Sequence, residues 1–139
     1  MYTSTTGTRT VFQPVPADVE RIGKVVLNAA YKVHTTLGPG LLESVYQASM
    51  KHVLEKSGLT VRIDVKLPIL FEGAKLDSGL QLDMLVEKCV IVELKSVERM
   101  SLLYEKQVNT YLRLSRLRLG FLINFNVAYL KDGIKRVVV

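Results

Sequence analysis

Tryptophan is absent from this chain of 139 residues, cysteine occurs once, at Cys89, and aromatic residues make up only 7%. A single cysteine excludes an internal disulfide, which fits a reducing compartment. Cys89 adjoins the apolar run Val90–Val92 and reads as a buried, inert thiol. No apolar stretch approaches the roughly 20 residues that a membrane span needs. The opening Met1–Thr10 is polar and lacks the apolar segment of a secretory leader. A cytoplasmic protein with no membrane-embedded part is expected. Histidine is scarce too: His34 and His52 have no cysteine or acid at ligand spacing, which argues against a zinc site.

What remains is ordinary in amount, with 48% hydrophobic and 23% charged residues, so a globular domain with its own core is expected rather than a disordered chain. The net charge of +6 is unevenly spread. Met1–Glu93 carries ten basic and ten acidic residues, whereas Leu94–Val139 carries nine basic and three acidic ones. A basic excess confined to the last third suits either a polyanionic partner or a solvated surface. Arg113, Arg116 and Arg118 are its densest cluster, able to grip phosphates or simply to face water. Few aromatics interleave with them, so base stacking on single strands is not indicated.

Residues 1–16 read as a loose tail and 17–139 as one domain. Val19, Ile22, Val26, Ala29, Val33 and Leu37 recur at helical spacing, with Asp18 as the expected cap. Gly38-Pro39-Gly40 breaks that helix and is too short to cradle a phosphate. A second helix is expected over 42–56. A strand begins near Thr60 and meets a bend or a sheet edge at Pro68. Glu72-Gly73 and Asp77-Ser78-Gly79 read as turns. Strands follow at 80–86 and 90–95, then a helix over 101–115 capped by Ser101, a buried strand at 120–125, a turn at Lys131-Asp132-Gly133 and a strand at 134–139. This order gives a mixed α/β or α+β layer fold.

The chemistry concentrates in LQLDMLVEKCVIVELK, residues 80–95. A hairpin with the three-residue loop Glu87-Lys88-Cys89 pairs Val86 with Val90, Met84 with Val92 and Leu82 with Leu94, all apolar. The opposite face then pairs Leu85 with Ile91, Asp83 with Glu93 and Gln81 with Lys95. A two-residue loop would mix charged and apolar residues on both faces, so the hydrophobic pattern selects the first register. Carboxylates directly across two strands have Cβ atoms about 4.5–5.5 Å apart. They repel unless they share a proton, which raises one pKa, or hold a hard cation such as Mg²⁺. Lys95 falls on the same face, two residues beyond Glu93, where it can stabilise charge on a reacting phosphate.

Asp83 followed by Glu93-x-Lys95 resembles the PD-(D/E)xK phosphodiesterase superfamily. Gly40-Leu-Leu-Glu43-Ser-Val-Tyr46 is similar to the GxxExxY signature of one small bacterial family within it, as are LGPGLLESVYQ, VIVELKSVERM and FLINFNV. The resemblance runs from about Asp18 to Val139. It implies a restriction-endonuclease-like core, a central mixed sheet of four to five strands flanked by helices. It also implies a nuclease dependent on Mg²⁺ or Mn²⁺, acting on nucleic acid, with DNA rather than RNA the expected substrate. Glu43, Asp83 and Glu93 would hold the cation with the Leu94 carbonyl, and Lys95 would be the catalytic lysine. Gln107 and Tyr111 match a Gln-x-x-x-Tyr motif of the RecB-like exonuclease branch and would brace the site or touch the strand. Tyr46 would be a core or positioning hydroxyl. Leu82 replaces the motif's proline, and Tyr104 stands where many relatives carry histidine. The alternative is a catalytically silent nucleic-acid-binding or assembly module on the same fold. A homodimer is a further expectation.

Overall fold

The computed structural model describes residues 13–139. Helices α1 (Ala17–Leu37) and α2 (Glu43–Lys56) lead into strands β1 (Val61–Phe71), β2 (Ala74–Val86) and β3 (Val90–Lys95). Helix α3 (Leu102–Ser115), β4 (Leu119–Asn124), a 3₁₀ turn (Leu130–Gly133) and β5 (Ile134–Val138) complete the order. The five strands form one sheet in the order β1-β2-β3-β4-β5. Only β3 and β4 are parallel, because α3 carries the chain back between them. The mixed sheet flanked by helices is the expected fold class. Among the described residues, no helix is long and apolar enough to cross a membrane.

Each helix buries one stripe; those of α1 and α2 share one core and that of α3 defines a second. Ile22, Val26, Ala29 and Val33 of α1 and Tyr46, Met50 and Leu54 of α2 pack on Val90, Val92 and Leu94 of β3 and Phe121 of β4. Val108 and Leu112 of α3 pack on the other face, against Leu85, Ile91 and Leu122. Gly23 lets α1 lie close on β4, since a Cβ there would meet Leu119 Cδ2 at 2.9 Å. The α1 helix ends where Gly38 takes φ 73° and donates its N–H to the His34 carbonyl at 2.8 Å. Such a left-handed terminus favours glycine. Ser101 caps α3 as expected, accepting from the Leu103 N–H at 3.1 Å.

Several expectations need correction. Asp18 lies inside the first turn of α1, and Pro16 occupies the cap without a side-chain bond; an acid there still favours the helix dipole. Asp77-Ser78-Gly79 is no turn. It lies within β2, where the register against β1 shifts and three residues face Pro68 alone. The tail expected over 1–16 falls outside the described residues up to residue 12. Beyond that point Val15 is buried in the core and the Gln13 carbonyl accepts from Arg118 Nη2 at 2.7 Å. The packed chain therefore starts before residue 17.

The 86–90 hairpin has the expected register, with Val86 opposite Val90, Leu85 opposite Ile91 and Met84 opposite Val92. Its turn is closed by the Cys89 N–H on the Val86 carbonyl at 3.0 Å. Glu87 and Lys88 both take positive φ, 51° and 57°, a conformation costing a side-chain-bearing residue about 1–2 kcal/mol. Glu87 is held by reciprocal bonds with Thr60, its carboxylate accepting from the Thr60 N–H at 2.6 Å and its own N–H donating to the Thr60 carbonyl at 2.9 Å. Lys88 is exposed and has no comparable bond among the described residues. Lys88→Gly is therefore expected to stabilise the fold by about 0.5–1 kcal/mol after glycine's entropic cost, read as a thermal midpoint raised by a few degrees.

Candidate metal and catalytic site

The ladder between β2 and β3 stops at Met84–Val92. Beyond it, side chains replace backbone pairing. The Asp83 N–H donates to Glu93 Oε2 at 2.8 Å, and the Leu94 N–H donates to Asp83 Oδ2 at 2.9 Å. The two carboxylates thus cross-brace strands that have left the regular ladder. The expected Leu82–Leu94 and Gln81–Lys95 pairs do not form. Leu82 instead joins Leu85 and Ile91 in the α3-side core, although Met84, two residues on, packs on the α1–α2 side. A regular strand keeps residues two apart on one face, so β2 is irregular at Asp83. Strand β1 changes core in the same place: Ile63 packs on the α1–α2 side, Val65 on the α3 side, and Asp64 between them has φ 50°.

This opening between β2 and β3 is where the predicted acids gather. Glu43 is the first residue of α2 and reaches in from the helical layer. Glu43, Ser44, Gln47, Asp64, Asp83 and Leu94 line a cavity of about 260 Å³. Glu93 lies behind it and is 4% exposed, the one charged side chain among the buried residues described. Lys95 follows at the strand end, and its Nζ sits 4.3 Å from the centroid of the Tyr104 ring. A cation over an aromatic face is attracted by the ring quadrupole. Tyr104, set apart in the sequence only as a departure from histidine, is the side chain that holds the Lys95 ammonium.

The electrostatics report how close these groups are. Burial pushes the Glu93 carboxyl up to about 8, aided by the Asp83 and Glu43 charges and opposed by the Asp83 N–H and Lys95. Burial also raises Asp83, with Asp64 adding to the shift and the Leu94 N–H and Lys95 opposing it. Glu43 is raised by desolvation and by Asp83, against Lys95 and the Ser96 N–H. All three therefore hold protons more tightly than isolated carboxylates, the condition expected of like charges that share a cation site.

The donor set of hard carboxylate oxygens suits Mg²⁺ or Mn²⁺. As they stand, no three His, Cys, Asp or Glu side chains among the described residues are grouped to hold a metal ion. The reason is visible in the bonds above: Asp83 and Glu93 each have an oxygen turned onto a backbone N–H.

The other predicted residues separate. Tyr46 is fully buried, stacks on Phe125 at 4.4 Å, donates to the Gly38 carbonyl at 2.6 Å and accepts from the Leu41 N–H at 3.2 Å. It pins the loop that delivers Glu43, while Ser96 Oγ donates to the Leu41 carbonyl at 2.6 Å from the site side. Tyr111 is near Glu93: burial and then the Glu93 charge raise its hydroxyl pKa. Gln107, one turn earlier, is exposed and makes no hydrogen bond among those described. Arg113 bonds to Asn109 and Thr110 on its own helix. Arg116 is the C-cap of α3, roughly 18 Å along the helix axis from Tyr104 at 1.5 Å per residue. Arg118 donates to the Val139 and Gln13 carbonyls. These arginines thus sit at the end of the sheet remote from Lys95, and Arg118 serves the chain ends.

Sequence reasoning missed Gln47, Asp64 and Asn124. Gln47 could have been found as the residue one turn after Glu43. Asp64 broke no sequence pattern, since it stands at a polar position of an alternating strand. Asn124, 2% exposed, donates to the Val97 carbonyl at 2.9 Å and accepts from the Val97 and Asn126 N–H groups at 3.1 Å. It fixes the backbone that leaves Lys95.

The family model of the PD-(D/E)XK nuclease superfamily matches residues 20–137. No curated protein and no solved structure matches the chain significantly. The chain belongs to the PD-(D/E)XK nuclease superfamily.

Glu93 gives the site a pH signature. Its folded pKa, about 8, lies above the ordinary carboxylate value of 4.5, so the folded state binds the proton more tightly than the unfolded chain. The resulting stability is fully present below about pH 4.5 and is lost as pH rises through about 8. In chelator, the thermal midpoint is expected to fall across this interval by the equivalent of a few kcal/mol. Glu93→Gln, which keeps an acceptor for the Asp83 N–H, should flatten that slope and raise the midpoint at pH 8.

Proposed function

We propose that this superfamily member is a divalent-cation-dependent phosphodiesterase that cleaves nucleic acid, with DNA the favoured substrate. The observation that carries the reading is the convergence of Glu43, Asp83 and Glu93 beside Lys95, with burial and then Asp83 raising the proton affinity of both Glu43 and Glu93. Three elements of the fold, α2, β2 and β3, supply these groups, and a solvated sheet face would not bury one of the carboxylates. The Gly40–Tyr46 signature supports membership of the GxxExxY branch.

Glu43, Asp83 and Glu93, with the Leu94 carbonyl, would hold Mg²⁺ or Mn²⁺. When bound, such a cation relieves the repulsion among the acids and polarises a phosphoryl oxygen. Lys95 then stands two residues beyond Glu93 with its ammonium on Tyr104, placed to stabilise negative charge that develops on the phosphoryl group. Glu43 approaches from the first turn of α2, where the helix dipole favours its ionised form against the pull of burial. Tyr46 and Ser96 keep the 38–42 loop, and so Glu43, at a fixed distance from β3. Tyr111 closes the α3 side. The basic last third supplies attraction to phosphates that does not depend on sequence, though Arg113, Arg116 and Arg118 act away from the reacting centre.

One observation favours a catalytically silent nucleic-acid-binding module: Asp83 and Glu93 already satisfy backbone N–H groups and do not enclose an ion site unaided. Titration with Mn²⁺ separates the two. A nuclease binds it through these carboxylates, with the thermal midpoint rising as metal is added; a silent module shows no shift.

For cleavage itself, Asp83→Asn and Lys95→Ala are each expected to lower the rate on labelled DNA by about 10²–10³-fold, as for loss of a group acting on transition-state charge. Both should keep the wild-type circular dichroism spectrum. Cleavage at the wild-type rate by the double variant would refute the assignment.

A further inference from the structure

The Gln47 amide spends both of its hydrogens at the candidate site. Its Nε2 donates to Asp64 Oδ1 at 3.1 Å and to the Asp83 carbonyl at 3.0 Å. Both partners are acceptors only, so the amide orientation follows from chemistry. Gln47 lies four residues after Glu43 on one face of α2, and both line the cavity that Asp64 and Asp83 line from the sheet. Asp64 stands across from Asp83, between the Ile63–Met84 and Val65–Leu82 pairs, with φ 50°. A non-glycine residue in that conformation persists where its surroundings hold it, and the Gln47 amide is the bond that does so.

We infer that Gln47 is a positioning residue for the cation site, fixing the distance from Glu43 to Asp83 by clamping α2 onto the Asp83 carbonyl and the Asp64 carboxylate. Where β2 leaves β3, no ladder sets the distance between Asp83 and the helical layer. Gln47 is the direct hydrogen bond across that gap among those described, one turn from the acid it serves. The side-chain chemistry is restrictive. Asparagine is one methylene shorter. Glutamate has no hydrogen to donate when ionised, and methionine keeps the length but has no donor. Asp64 acts as the second anchor, and the pair draws a further carboxylate to the cavity wall.

The inference rests on the proposed cation-dependent function, and its test reads metal binding rather than turnover. Mn²⁺ is titrated into the full chain by calorimetry for wild type, Gln47→Met, Glu43→Gln and the double variant, with thermal midpoints measured in chelator. Gln47→Met is expected to weaken Mn²⁺ binding by about tenfold or more, the usual effect of losing a partner that orients metal ligands. The metal-free midpoint should move by no more than a few degrees. In the Glu43→Gln background the same change should add less than about threefold, because residues that act through one another are not additive. A dissociation constant for Gln47→Met within twofold of wild type overturns the inference, as does an undiminished effect without Glu43. If wild type itself binds no Mn²⁺, the functional proposal falls and takes this one with it. Binding by wild type that Gln47→Met leaves intact sinks the positioning role alone.

Discussion

Two hydrogen bonds govern the site: the Asp83 N–H on the Glu93 carboxylate and the Leu94 N–H on the Asp83 carboxylate. In a regular sheet these N–H groups would meet carbonyls. Here they meet side chains, so β2 and β3 stay joined where their ladder has ended. Everything around the opening follows from that exchange. Leu82 turns to the α3-side core, Asp64 takes a left-handed backbone, and the cavity between strands admits Glu43 from the helical layer. A sheet continuing its pairing past Met84 would seal that gap with backbone and leave Glu43 on the far side.

The exchange has an energetic consequence. A carboxylate that is 4% exposed resists ionisation, and burial of an unpaired charge costs several kcal/mol. The fold tolerates Glu93 by giving it one N–H and by raising its proton affinity. The rest of the domain offsets that cost with apolar contacts on both faces of the sheet and with buried polar groups bonded through both donor and acceptor, such as Asn124. Unfavourable charge therefore collects at the strand opening, while the ladder at the hairpin end is regular up to the positive-φ turn residues Glu87 and Lys88. That division is common where a fold holds ligating groups ready at the expense of stability.

Much of this was legible in sequence because it depends on period. The register Val86–Val90 and Met84–Val92 followed from keeping apolar residues on one face, and the Ser101 cap followed from hydroxyl chemistry at a helix start. The same register anticipated that Asp83 and Glu93 would meet, but the ladder ends one pair short of them and they are joined by a side chain–backbone bond instead. What was not legible depends on departures from period. Leu82 was assigned the face of Met84 because strands alternate, and the irregularity at Asp83 cancels that rule. Asp77-Ser78-Gly79 has turn residues yet is absorbed into a register shift opposite Pro68. The arginines were grouped by spacing in sequence, while the length of α3 carries them to the other end of the sheet. Asp64 carried no signal of its own and Gln47 only its place one turn after Glu43, since a glutamine on a helix and an aspartate on a strand are unremarkable until the chain brings them within 3.1 Å.

Charge distribution adds a constraint on how a polyanion could approach. The chain is basic overall, but part of that charge is spent internally: Arg136 grips Glu20 through both nitrogens at 2.8 and 2.9 Å, and Arg118 faces backbone carbonyls. At the opening between β2 and β3, Glu43, Asp64, Asp83 and Glu93 stand against Lys95 alone among the groups that shift one another there. Phosphate would meet net negative charge at that point while being drawn to the molecule as a whole. Near neutral pH the proton held by Glu93 removes one negative charge, which is not enough to reverse the local sign. A divalent cation ligated by Glu93 would displace that proton, and with Lys95 it would leave the four acids about one negative charge short of balance. On the proposed reading a cation would have to precede or accompany the phosphate, with long-range basic attraction and local acidity serving different stages of one encounter.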